Sequence, residues 1–115
     1  MEDSGENKRS QRRVEAALPI RIHGINAAGE TYADEATALE VSRRGLSFLT
    51  KQELAVFATL TITIPGRGPV RANEGPQDFF TEAVVVRSLK EDEEFYRVGV
   101  RFMGATLPMY SAESA

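Results

Sequence analysis

Residues 39–48 read LEVSRRGLSF, and the fold turns on how this stretch is interpreted. Apolar and polar residues alternate up to Ser42, stop at Arg43-Arg44-Gly45, and resume through Leu46 and Phe48. A period of two marks a half-buried strand, because successive side chains point to opposite faces. Two such runs joined across a short polar break that contains glycine form an antiparallel hairpin. Read this way, TALEVS turns Leu39 and Val41 inward, and GLSFLT turns Leu46 and Phe48 inward. Glu40 and Ser42 then share the outer face. Beside them, Gly45 permits either a positive backbone angle or the close approach of a ligand to the main chain. A plain hairpin needs the glycine; it does not need the acid, the hydroxyl and two arginines around it.

The same alternation extends outward in both directions. LPIRIHGI sets Leu18, Ile20 and Ile22 against Arg21 and His23, and TLTITIP sets Leu60, Ile62 and Ile64 against three threonines. EAVVVRSL is a β-branched run centred on Val84, Val85 and Val86, and YRVGVRFM alternates Tyr96, Val98, Val100 and Phe102 with Arg97, Gly99 and Arg101. Six short strands without a long helical period predict an all-β domain, a six-stranded antiparallel barrel whose closure removes exposed edges. The acidic link LKEDEEF reads as a solvated turn. The link PGRGPVRANEGPQDFF, residues 65–80, is either an elaborated loop or carries one extra short strand at PVRA. Phe79 and Phe80 are expected in the core, with a partner-contact surface as the alternative. Residues 1–13 have no hydrophobic residue after Met1, so they are expected to form a mobile basic arm. The barrel is assigned to residues 14–104. Residues 105–115 form a tail with at most a helical turn, because Pro108 interrupts it.

A chain of 115 residues supports one compact core. It has no cysteine and a single histidine, so neither disulfides nor a metal site is expected. No apolar run is long enough to cross a bilayer and no leader-like segment opens the chain, which predicts a cytoplasmic protein without membrane insertion. The net charge of −3 and the scarcity of outward aromatics argue against nucleic-acid binding. His23 has no nucleophile or acid partner at a useful spacing, so no enzyme is expected. Positive charge is nevertheless concentrated locally, at Lys8, Arg9, Arg12 and Arg13 and again at Arg43 and Arg44.

Arg9 and Arg13, four residues apart, fall on one side of the chain. Two guanidinium forks so placed match phosphate oxygens and the O6/N7 edge of guanine. The order RSQRRV, LPIRI, VSRRGLSF, YRVGVRF resembles the PilZ domain family over residues 8–104. The resemblance implies a six-stranded barrel that binds the bacterial second messenger cyclic di-GMP and requires no cofactor besides that ligand. The family signature, RxxxR followed by [D/N]xSxxG, is carried here by Arg9 and Arg13 and by Ser42 and Gly45. Glu40 stands where the family has Asp or Asn. It keeps the carboxylate acceptors for guanine N1–H and N2–H and adds one methylene. Lys8, Arg12, Arg43 and Arg44 either add potential near the phosphates or are solvated charge. The implied function is a signalling receptor module in which ordering of the arm alters contact with a protein partner. The alternative is an adaptor of the same fold that works through protein contacts alone.

Overall fold

The computed structural model describes residues 14–70 and 72–108. Six strands follow in chain order: β1 (Val14–Ile25), β2 (Thr31–Ser42), β3 (Gly45–Thr50), β4 (Thr59–Ile64), β5 (Phe79–Lys90) and β6 (Tyr96–Met103). They form a closed antiparallel barrel in the order β1-β2-β3-β6-β5-β4, with β4 returning to pair with β1. No helix occurs among the described residues, so none is long and apolar enough to cross a membrane.

Alternation produces the core directly. Ile20 and Ile22 of β1, Leu46 and Phe48 of β3, Leu60, Ile62 and Ile64 of β4, and Val98, Val100 and Phe102 of β6 all face the barrel interior. Leu18 and Tyr96 are only partly buried at its margins. β2 begins well before TALEVS and brings in Tyr32, while Leu54 and Leu107 close the interior from the connecting segments. The Phe79 ring tilts against that of Phe102, with centroids 5.1 Å apart, but its neighbour Phe80 is 64% exposed. The expectation that both phenylalanines enter the core therefore fails for Phe80, since adjacent residues of a strand cannot face the same side. No strand forms among the described residues at PVRA, where Val70 is 81% exposed. The acidic link is a tight exposed turn: the Asp92 carboxylate accepts the amides of Glu94 and Phe95 at 2.8 and 2.9 Å.

Candidate functional site

Two β-bulges decide which side chains reach one part of the outer wall. Along β2, Tyr32 and Ala38 face inward, so counting by twos would send Glu40 and Ser42 into the core. The register slips instead. Ala38 pairs with Phe48 and Glu40 with Ser47, so two steps along β2 match one along β3. One extra residue reverses the phase of everything after it. Val41 turns inward at 3% exposure, and Glu40 and Ser42 reach the outer wall. Leu39 is the inserted residue, and it is half-buried and outside the core cluster, contrary to the inward placement expected from uninterrupted alternation. β5 repeats the device. Thr81, Ala83 and Val85 face inward, Val85 pairs with Val100 and Arg87 with Gly99, and the extra Val86 turns Arg87 outward.

The strand partners then line up laterally. Glu40, Ser47, Gly99 and Arg87 form one row across β2, β3, β6 and β5. Ser42, Gly45, Arg101 and Val84 form a second row, two residues further along the first three strands, which is about 7 Å. Apart from Val84, the residues of both rows line an open groove of about 580 Å³, with Arg44 and Arg97 also in its lining. That volume lies within the range of small-molecule sites.

Ser42 is 9% exposed, and its hydroxyl holds the β2–β3 turn. Its Oγ donates to the Gly45 carbonyl at 3.2 Å and accepts the Arg44 amide at 3.2 Å. Two-residue hairpin loops usually use left-handed residues, but neither Arg43 nor Arg44 has a positive φ. Support comes from outside the hairpin. The Phe102 amide donates to the Arg44 carbonyl at 2.7 Å, and the Leu107 amide to the Arg43 carbonyl at 2.9 Å. Of the two purposes expected of Gly45, the positive backbone angle is not used. The backbone that approaches it is β6: a Cβ there would run into the Val100 carbonyl oxygen and lie 3.2 Å from the Arg101 Cα.

Charge in the groove is predominantly positive. Arg44, Arg87 and Arg101 make no ion pair among the described residues. Arg97 donates from Nε to Glu91 Oε1 at 3.1 Å, at the rim. Glu40 provides the acceptor at the opposite end of the first row. The Ser47 hydroxyl, between Glu40 and Gly99, is buried without a hydrogen-bond partner among the described residues. Such a group is costly unless something satisfies it.

The structure thus brings Glu40, Ser42, Gly45 and Arg44 together. Arg43 is exposed on the same turn but does not line the groove. Lys8, Arg9, Arg12 and Arg13 lie outside the described residues. Ser47, Arg87, Arg97, Gly99 and Arg101 were not anticipated as site residues. Alternation had already placed Arg97, Gly99 and Arg101 on one outer face. The missing information was that β6 lies between β3 and β5. His23 is exposed on β1 and is not among the residues lining the groove, and the described residues contain no group of three His, Asp or Glu able to hold a metal.

Solved structures share this barrel. The Bacillus subtilis inhibitor of motility MotI/DgrA aligns with a TM-score of 0.61 at 18% identity, covering 85% of this chain and 44% of its own. The PilZ domain of Escherichia coli YcgR, solved with c-di-GMP, aligns with a TM-score of 0.52 at 18% identity, covering 84% and 79%. The K. pneumonia MrkH–c-di-GMP complex also aligns with a TM-score of 0.52 at 18% identity, covering 84% and 44%. This chain therefore spans less than half of MotI/DgrA and MrkH. No curated protein matches its sequence. The PilZ domain model matches residues 7–112, nearly the whole chain, and the chain belongs to the PilZ domain family.

Proposed function

We propose that this chain is a receptor module for cyclic di-GMP, with the ligand lying in the groove between Glu40 and Arg87. The observation that carries this reading is the joining of Glu40, Ser42 and Gly45 to a groove bordered by Arg44, Arg87 and Arg101, which make no ion pair among the described residues, in a chain of this family. The c-di-GMP complexes of YcgR and MrkH, built on the same fold, support the choice of ligand. Glu40 takes the donor edge of a guanine, and Arg44 with the sequence-assigned Arg9 and Arg13 takes phosphates and the guanine O6/N7 edge. Ser42 and Gly45 act through the turn, by keeping Glu40 and Arg44 in register. Engagement of the basic N-terminal segment with bound ligand changes the surface offered to a protein partner, so the module signals by binding rather than by catalysis.

Calorimetric titration of the full chain with cyclic di-GMP at near-physiological salt tests this. Saturable binding is expected; no heat at about 100 µM ligand places binding above that Kd and overturns the reading. In that event the module would work through protein contacts alone. Replacing Arg9 and Arg13 together by alanine is expected to abolish binding with an unchanged melting temperature. Glu40→Asp measures the cost of the extra methylene, and tighter binding is expected from the shorter carboxylate.

A further inference from the structure

The groove does not end at its second row. Beyond Arg44 and Arg101 lies a separate depression of about 290 Å³, bordered by Phe102, Gly104, Ala105 and Thr106. Both arginines line the groove and the depression, so they form the wall between them. Their backbones are fixed. Arg101 is held by its pairing with Gly45 across the β3–β6 ladder. The Arg44 amide is held by Ser42 Oγ, and its carbonyl by the Phe102 amide. Gly104, at φ +87, turns the chain away from β6 so that Ala105 and Thr106 make the far side. Neither guanidinium has a carboxylate partner among the described residues.

Two cations that line the same depression, with no carboxylate partner among the described residues, repel, and the arrangement favours an anion that enters between them. Guanidinium forks bind phosphoryl oxygens through paired hydrogen bonds. We propose that Arg44 and Arg101 form a phosphate subsite opening into this side depression, distinct from the Glu40 row about 7 Å away that meets a base. The class of ligand is a phosphodiester or phosphate dianion; its identity as part of cyclic di-GMP rests on the function proposed above. The subsite divides the work of recognition. The first row reads a donor edge, and the second row supplies charge.

The test uses the ¹⁵N-labelled full chain, with the Nε–H signals of Arg44 and Arg101 assigned by their loss in Arg44→Lys and Arg101→Lys. The chain is titrated separately with pyrophosphate and with cyclic di-GMP. Both signals are expected to shift with pyrophosphate, and Arg101→Ala is expected to remove the Arg44 response. Should cyclic di-GMP bind, Arg101→Ala weakens it by roughly ten- to a hundredfold, the scale of one charge-assisted contact, and reduces its salt dependence. The melting temperature of free Arg101→Ala is expected to equal or exceed that of the parent, since one repelling charge is gone. Pyrophosphate shifts in a chain that ignores cyclic di-GMP would sink the ligand assignment and uphold the subsite. Unmoved Arg44 and Arg101 signals with pyrophosphate would overturn the subsite, as would cyclic di-GMP binding that is unchanged in Arg101→Ala.

Discussion

Tyr32 carries its phenol into the end of the barrel, where it is 8% exposed and its hydroxyl has no hydrogen-bond partner among the described residues. Burial, with a smaller contribution from the Asp34 charge, pushes its pKa up to about 12. The unfolded chain ionises this group near pH 10, so its contribution to stability is complete below pH 10 and falls as pH rises towards 12. Tyr32→Phe removes the unsatisfied hydroxyl and is expected to stabilise by about 1 kcal/mol at neutral pH, and to flatten the alkaline loss. Urea melts at pH 7 and between pH 9.5 and 11 measure both effects; a less stable variant at pH 7 would mean that the hydroxyl has a partner. Gly45 is the second position where one residue governs its surroundings. Gly45→Ala forces β3 away from the Val100 carbonyl and is expected to cost about 1–3 kcal/mol, seen as a lower melting temperature. Any accompanying loss of ligand binding reports a displaced turn rather than a missing contact.

The strands were legible from alternation because their inward residues are β-branched or aromatic and recur every second position. The bulges were not. The sequence LEV gives no sign that one residue is inserted, and the phase of Glu40 came out correctly because Val41 does face inward, although Leu39, counted on the same face, is the inserted residue. Val84, Val85 and Val86 are chemically alike, so nothing in the run announces that Val86 is the extra residue and that Arg87 emerges outside. Tyr32 was missed for a related reason, because its flanking Thr31, Ala33 and Asp34 do not announce a strand. The β3–β4 connection carries a further feature hidden from pattern. Phe57 is 80% exposed at φ +78, with its amide donating to the Val85 carbonyl at 2.7 Å, while the Val85 amide donates to the Ala58 carbonyl at 2.8 Å. These bonds lace the connection to β5 and hold a bulky residue in the left-handed region. Phe57→Gly is therefore expected to exceed Phe57→Ala in stability by about 1 kcal/mol, reversing the usual order of those two residues. Equal or inverted melting temperatures would contradict the strain.

At the scale of the whole molecule, the site spans four strands from both halves of the chain, so a ligand across it ties β2 and β3 to β5 and β6. Binding to the folded chain alone stabilises it by mass action. A concentration of cyclic di-GMP at a hundred times its Kd is expected to add about 2.7 kcal/mol, read as an upward thermal shift. Six strands and their inward residues could be read from the sequence, but strand order could not, and strand order is what places Arg87 opposite Glu40. The barrel's closing seam has a consequence of another kind. β1 meets β4 along Arg21, Ile22, His23 and Gly24, and β2 and β3 intervene in the chain. The β2–β3 and β5–β6 pairs are local hairpins, whereas this seam joins strands far apart in the chain and must close a longer loop. It is therefore expected to form late in folding, after the rate-limiting barrier. Ile62→Val, a truncation at the seam, would then leave the refolding rate nearly unchanged and speed unfolding, a partition that stopped-flow chevrons measure. With that partition, the lifetime of the native barrel is governed at its seam, on the wall away from the groove.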